Sequence, residues 1–152
     1  MFYIESDLVL LDINGADAEE VIRLLCSKLE EAGHVTCEHV KYVLERENIY
    51  PTGLPTNPFC VAIPHGEAEG VIHSAIAFAR METPLVFKNM VNCDECLETK
   101  MVFLLVNKDP SEQVKTLQNL SEIFGDPTLL QQLKDEVDKQ KIVALLDSII
   151  NQ

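Results

Sequence analysis

The chain has 152 residues, 47% hydrophobic and 24% charged, the mix of one globular domain that buries ~70% of its unfolded surface. A formal net charge of −13 argues against a nucleic-acid partner, because phosphate backbones are held by lysine and arginine. No apolar stretch reaches membrane-spanning length, Met1 to Asp7 lack the pattern of a signal peptide, and the five cysteines form an odd set that reads as reduced thiols of a cytoplasmic protein.

Leu8 to Ile13 is apolar enough for a first strand. Asp17-Ala18-Glu19-Glu20 has the spacing of a capping box, and Val21, Leu24, Leu25, Leu29 and Ala32 follow at helical intervals up to Gly33, which closes the helix. Thr36 is the expected cap of a second helix, with Val40, Val43 and Leu44 as its inner stripe and Arg46 near its end. Tyr50 to Pro58 holds too much proline and glycine to be anything but loop. It feeds the apolar run Cys60-Val61-Ala62-Ile63, which reads as a buried strand.

Two further strands are expected at His73–Arg80 and Lys100–Val106, with a short one at Leu85–Phe87. Pro110 and Ser111 open a helix carrying Val114, Leu117, Leu120 and Phe124, and Gly125-Asp126-Pro127 breaks it. A short helix over Thr128 to about Leu133 and a last one bearing Ile142, Val143, Leu145, Leu146, Ile149 and Ile150 complete the chain. No repeat, low-complexity tract or linker divides it, so residues 1–152 read as a single domain. Strands interleaved with helices make the class α/β, with a central mixed sheet flanked by helices on both faces.

The functional signal is the end of the Cys60 run, Pro64-His65-Gly66. Pro64 fixes φ and stops the strand; Gly66 leaves a bare backbone beside the imidazole. His65 therefore sits at the carboxyl end of a strand, where open α/β sheets tend to do their chemistry. An ordinary strand-end turn containing a histidine has the same local pattern. An imidazole with an ordinary pKa near ~6.5 keeps a neutral nitrogen available at neutral pH and is able to take a group and pass it on. Phosphoryl transfer suits this layout because its catalysis is mostly positioning and charge neutralisation. Arg46 offers a guanidinium fork for phosphate, although within Glu45-Arg46-Glu47 it also reads as a solvated arginine paired with its neighbours. Thr52 and Gly53 offer a hydroxyl and a backbone donor, or simple turn chemistry. Gln113, in the first turn of its helix, offers an amide N–H where a helix N-terminus favours anions, or an exposed polar residue.

Ala62-Ile63-Pro64-His65-Gly66, preceded by Leu44-Glu45-Arg46-Glu47 and a Thr-Gly loop, resembles the fructose–mannitol superfamily of A components of enzyme II. These belong to the bacterial phosphoenolpyruvate-dependent sugar phosphotransferase system. The resemblance runs over nearly the whole chain, to the Ser111–Phe124 helix and its Asp126-Pro127 break. It implies that His65 accepts a phosphoryl group from the histidine phosphocarrier protein and delivers it to a cysteine of the B component. The membrane C component would be involved only indirectly, and neither metal nor cofactor would take part. Arg46 matches an arginine near that site; Thr52, Gly53 and Gly66 are the phosphate-binding candidates on the reading of the residues themselves. Gln113 falls where many relatives carry a second histidine; this departure leaves hydrogen bonding to the phosphate or to His65 as its implied role. Tyr50-Pro51-Thr52-Gly53 together with Gln113 is most similar to the galactitol-type branch. A regulatory phosphoprotein of the same fold, signalling nutrient state through protein binding, is the alternative.

Phe59, Leu54 and Ile63 are expected to form an apolar rim or underside to the site. Cys93-Asp94-Glu95-Cys96 has the spacing of half a zinc site or a redox pair, but no second such motif exists, and a zinc-stabilised interaction module is the third reading. Cys26 and Cys60 read as small core residues. His34 and His39 are expected to be solvent-exposed, His73 is ambiguous, and Asp12, Asp17, Glu19 and Glu20 read as loop and cap residues. The other carboxylates read as a solvated face.

Overall fold

The structure, a computed structural model, describes residues Met1–Gln152. Five strands, β1 (Val9–Ile13), β2 (Gly53–Leu54), β3 (Cys60–Ala62), β4 (Ala75–Lys88) and β5 (Cys96–Val106), form one sheet in the order β1-β4-β5-β3-β2. β1 runs parallel to β4 and β3 parallel to β5, while β4–β5 and β2–β3 are antiparallel. The five helices are α1 (Ala18–Glu31), α2 (His39–Ile49), α3 (Gln113–Phe124), α4 (Pro127–Asp135) and α5 (Lys139–Ile150). The mixed α/β sheet expected from the sequence is the fold observed.

The two faces of the sheet follow from the two-residue period of its central strands. Ala75, Ala77 and Ala79 of β4 and Val102, Leu104 and Val106 of β5 point toward α1 and α2, where Val21, Ile22, Leu25, Leu29 and Val43 cover them. Ile76 and Phe78 of β4 and Met101, Phe103 and Leu105 of β5 point the other way, into Leu120 and Ile123 of α3, Leu130 and Leu133 of α4 and Ile142 and Leu146 of α5. The alanines let α1 approach closely, and the bulky residues fill the opposite side. Strands covered on both faces read as continuous apolar runs rather than alternating ones, which is why β4 and β5 are conspicuous in the sequence.

The sequence boundaries change in several places. The expected strands at His73–Arg80 and Leu85–Phe87 are one strand, because β4 stays paired with β5 on both sides of a register shift between Arg80 and Leu85. By the same pairing β5 begins at Cys96 rather than Lys100. β2 lies inside the stretch read as pure loop, held by Gly53 opposite Ala62 and Leu54 opposite Val61. Ser6–Leu8 is a 3-10 turn, so β1 starts one residue later than expected. Thr36 does not cap α2: the helix starts at His39, and Thr36 instead pairs its backbone N–H with Gly70 O at 2.8 Å. Asp17 caps α1 as expected, its Oδ1 accepting from the Glu20 N–H at 2.9 Å. Gly33 follows in the left-handed region at φ 84°.

Two corrections concern histidines. His34 and His39 are buried, not exposed. The His39 ring nitrogen Nδ1 lies 2.7 Å from the Glu69 carbonyl, supplied by a loop that turns at Gly70 with φ 80°. Burial pushes the His39 pKa down. His34 stacks on Tyr3 and places Nε2 2.9 Å from Glu5 Oε1. Asp12 is likewise no free loop residue. It lies in β1 at φ 55°, and its two carboxylate oxygens accept from Nε and Nη2 of the buried Arg80 at 2.9 and 3.0 Å.

Candidate functional site

β3 and β5 are adjacent and parallel, so both end at the same edge of the sheet. Beyond that edge lies a cavity of about 240 Å3 lined by residues from four segments. His65 and Gly66 follow β3, Asn107 follows β5, Arg46 comes from α2, and Gln113 is the first residue of α3. Because α2 covers one face of the sheet and α3 the other, the two helices bracket the edge where His65 emerges. The space is large enough to admit a phosphoryl group.

The backbone at His65 is fixed by its neighbours. Pro64 is buried, its carbonyl accepts from the Leu105 N–H at 3.0 Å, and His65 itself bridges to Leu105. Gly66 packs directly on α2: a Cβ there would lie 3.3 Å from the Val43 nitrogen and 3.4 Å from the Tyr42 carbonyl carbon. The absent side chain therefore lets the His65 turn sit against the helix that carries Arg46 one turn later.

The imidazole has a defined tautomer. His65 Nδ1 lies 2.7 Å from the carbonyl of Ile63, the residue just past β3. A carbonyl only accepts, so Nδ1 carries the proton and donates it, leaving Nε2 with its lone pair free. Burial pushes the His65 pKa below its ordinary value, and the Arg46 charge lowers it further, against the opposing pull of the Ile63 hydrogen bond and Glu67. Both favour the neutral ring, the nucleophilic form.

Arg46 is half-buried, with Nη1 3.6 Å from Glu67 Oε1 and its guanidinium carbon 5.4 Å from the centre of the Tyr50 ring. Its Nε is buried without a hydrogen-bond partner. The Glu67 side chain is 72% exposed, so this contact is a weak, screened one. Gln113 accepts a hydrogen bond at Oε1 from Asn107 Nδ2 at 3.0 Å. Tyr50 and Val114 are exposed apolar side chains next to Arg46 and Gln113.

The structure thus brings His65, Gly66, Arg46 and Gln113 together and leaves Thr52 and Gly53 out of the cavity lining. Thr52 is buried; its Oγ1 and backbone N–H both donate to the Glu47 carboxylate, at 2.7 and 2.9 Å. Burial raises the Glu47 pKa, so this carboxylate is not part of a solvated face. Gly53 meets the Lys88 carbonyl, which a Cβ would approach to 2.5 Å, and its role is close packing of β2 on the end of β4. The apolar surround expected of Phe59, Leu54 and Ile63 is also absent. Ile63 is buried in the α3–α5 core with Leu54 and Phe59 packed against it, and none of the three lines the cavity. Cys26 is buried and Cys60 half-buried, whereas Cys93 and Cys96 are both exposed.

Two polar lining residues, Glu67 and Asn107, are not singled out by the sequence. Glu67 looked like one more surface carboxylate. Asn107 carried a usable signal: it ends the apolar run of β5 as His65 ends that of β3.

An α/β domain presenting a neutral histidine beside an arginine, at the carboxyl edge of a mixed sheet, is the class of protein defined by these observations. The chain belongs to the EIIA type 2 family of the phosphoenolpyruvate-dependent sugar phosphotransferase system, whose family model matches residues 2–149. It is 25% identical over 149 residues to the mannitol-specific EIICBA component of Vibrio cholerae serotype O1, covering 96% of this chain and 22% of that protein. It is 28% identical over 144 residues to multiphosphoryl transfer protein 1 of Escherichia coli K12, covering 92% of this chain and 16% of that protein. The chain thus spans less than a quarter of the length of these curated relatives. Its fold is similar to that in the complex of enzyme IIAMTL and phosphorylated enzyme IIBMTL from Escherichia coli, with a TM-score of 0.78 at 22% identity, over 97% of this chain and 99% of that one. No helix is long and apolar enough to cross a membrane.

Proposed function

We propose that the domain is a cytoplasmic phosphohistidine carrier: it takes a phosphoryl group from the histidine phosphocarrier protein onto His65 Nε2 and passes it to a cysteine of a B component. The observation that carries this reading is the Nδ1 contact to the Ile63 carbonyl, which leaves Nε2 as the one unprotonated ring nitrogen. In the first step the Nε2 lone pair forms the new N–P bond while the donor's N–P bond breaks and its electron pair returns to the donor nitrogen. In the second step a cysteine thiolate displaces His65 in the same way. Neither step needs a proton at Nε2, a metal or a cofactor. Arg46 neutralises charge on the equatorial oxygens and Gln113 donates to one of them; Gly66 gives the phosphate room. Partner docking over the mouth, beside Tyr50 and Val114, keeps water from the N–P bond.

The family membership and the complex of a similar fold with a phosphorylated B enzyme support a B-component acceptor. The finer reading is sugar uptake of the galactitol type, resting on the Tyr50-Pro51-Thr52-Gly53 loop with Gln113; the V. cholerae relative is mannitol-specific. Incubation with phosphoenolpyruvate, enzyme I and the histidine phosphocarrier protein adds one acid-labile phosphoryl group to the wild type and none to His65→Ala. Equal labelling of the alanine variant overturns the reading. Faster transfer to a mannitol than to a galactitol B component overturns the subclass alone.

A further inference from the structure

Gln113 has two chemically opposite ends, and only one of them helps a phosphate. Which end faces the cavity is decided one residue further back. Asn107 is buried at the end of β5, and its Oδ1 receives two donors: the Asp109 backbone N–H at 3.1 Å and the Ser74 hydroxyl at 3.3 Å. A backbone N–H donates only, so it fixes that end of the Asn107 amide as the oxygen. Ser74 is committed in turn, because its Oγ accepts from the Lys108 N–H at 2.9 Å. The other end of Asn107 must be the NH2 group, which donates to Gln113 Oε1 at 3.0 Å. With its oxygen occupied, Gln113 offers the cavity its Nε2 donors.

We propose that Asn107 is a positioning residue for phosphoryl transfer: anchored by Asp109 and Ser74, it holds the Gln113 amide with its NH2 end toward the phosphoryl oxygens at His65. This rests on the carrier reading above and adds to it a residue which touches no substrate. The relay makes the Gln113 side of the cavity donor-only. An aspartate at 107 still accepts from Asp109 and Ser74, but its second oxygen has no proton to give Gln113. The Gln113 amide then reverses, donates to the new carboxylate, and turns Oε1 on the phosphate.

The test is Asn107→Asp, with Asn107→Leu as comparison and the amide spectrum of each as the check of folding. At pH 8 both variants slow phosphorylation by the histidine phosphocarrier protein by ~10–100-fold, up to the low end of the cost of losing one oxyanion donor outright. As the pH is lowered to 5.5, Asn107→Asp recovers toward the wild-type rate, because a protonated carboxyl again donates to Gln113; Asn107→Leu does not. The ionisable groups facing this position are His65, Arg46 and Glu67 across the cavity, Lys108 and Asp109 on its own segment, His73 beside Ser74, and Glu112 before Gln113. All are common to variant and wild type, and Asn107→Leu, which places no charge among them, reports the pH dependence they contribute. Without any phosphoryl donor, the Gln113 side-chain amide protons exchange faster with water in the wild type than in Asn107→Asp at pH 8, where the carboxylate holds them. A variant-to-wild-type ratio flat in pH, or unchanged amide exchange, overturns the positioning role while wild-type labelling of His65 stands. A wild type that takes no label overturns the carrier reading, and the positioning role with it.

Discussion

At His65 the sequence discloses a support but not a tautomer. Pro64 and Gly66 announce a stiff corner, and the structure gives each a partner, Leu105 for Pro64 and the α2 backbone for Gly66. The proton on Nδ1, which makes Nε2 the proposed nucleophile, depends on a backbone carbonyl two residues back, that of Ile63. No residue type encodes that. Thr52 was misleading for a related reason: a hydroxyl in a loop looks available, but Glu47, five residues earlier, reaches it first. Arg46 was legible only through the resemblance, since Glu45 and Glu47 beside it suggest ordinary surface pairing. Its one carboxylate contact is instead with the exposed Glu67 at 3.6 Å, worth ~0–1 kcal/mol. The guanidinium is therefore nearly free for phosphate. Arg46→Ala lowers the phosphoryl-transfer rate by ~100-fold, and Arg46→Lys restores part of it, because charge returns without the bidentate fork. Rapid-quench transfer kinetics measure both, and rates equal to wild type would remove Arg46 from the site.

Among the elements, periodicity was a good guide to existence and a poor one to extent. The five helices stand out because each carries a stripe facing one of the two cores. The sequence understates the length of the β4–β5 pair, because Met81 to Pro84 breaks the apolar run while the ladder resumes at Leu85. β2 is two residues long and exists only through its pairing with β3. A long-range tie of the same kind is Arg80, which joins β4 to Asp12 of β1 and to the Leu133 and Glu136 carbonyls at the end of α4. The Arg80 hydrogen bond holds the Asp12 pKa below the ordinary carboxylate range. A carboxylate with a lowered folded pKa stabilises the fold above its unfolded value, ~3.9, and loses that contribution as pH falls through the folded value. Asp12→Asn therefore lowers stability by about 1–2 kcal/mol at pH 7, modest because the carboxylate faces solvent. In urea melts the gap from wild type narrows below pH 4. A gap constant from pH 7 to pH 2.5 would show that the pair contributes no charge-dependent stability.

For the molecule as a whole, the topology explains why the proposed chemistry falls at one edge. Two parallel neighbours, β3 and β5, end side by side, and a helix from each face of the sheet brings a donor to that edge. The chain is acidic by 13 charges, yet distant carboxylates are screened over ~8 Å at physiological salt. In the proposed transfer, an arriving phosphoryl group meets Arg46, the Gln113 amide and the bare nitrogen of a ring whose pKa burial pushes down. The central claim is that this nitrogen is Nε2. Nitrogen-15 and phosphorus NMR of the phosphorylated domain distinguishes the two ring positions directly. The account predicts a single phosphohistidine, at residue 65, with phosphorus on Nε2 and a proton retained on Nδ1. Phosphorus on Nδ1, or on any residue other than His65, would contradict it.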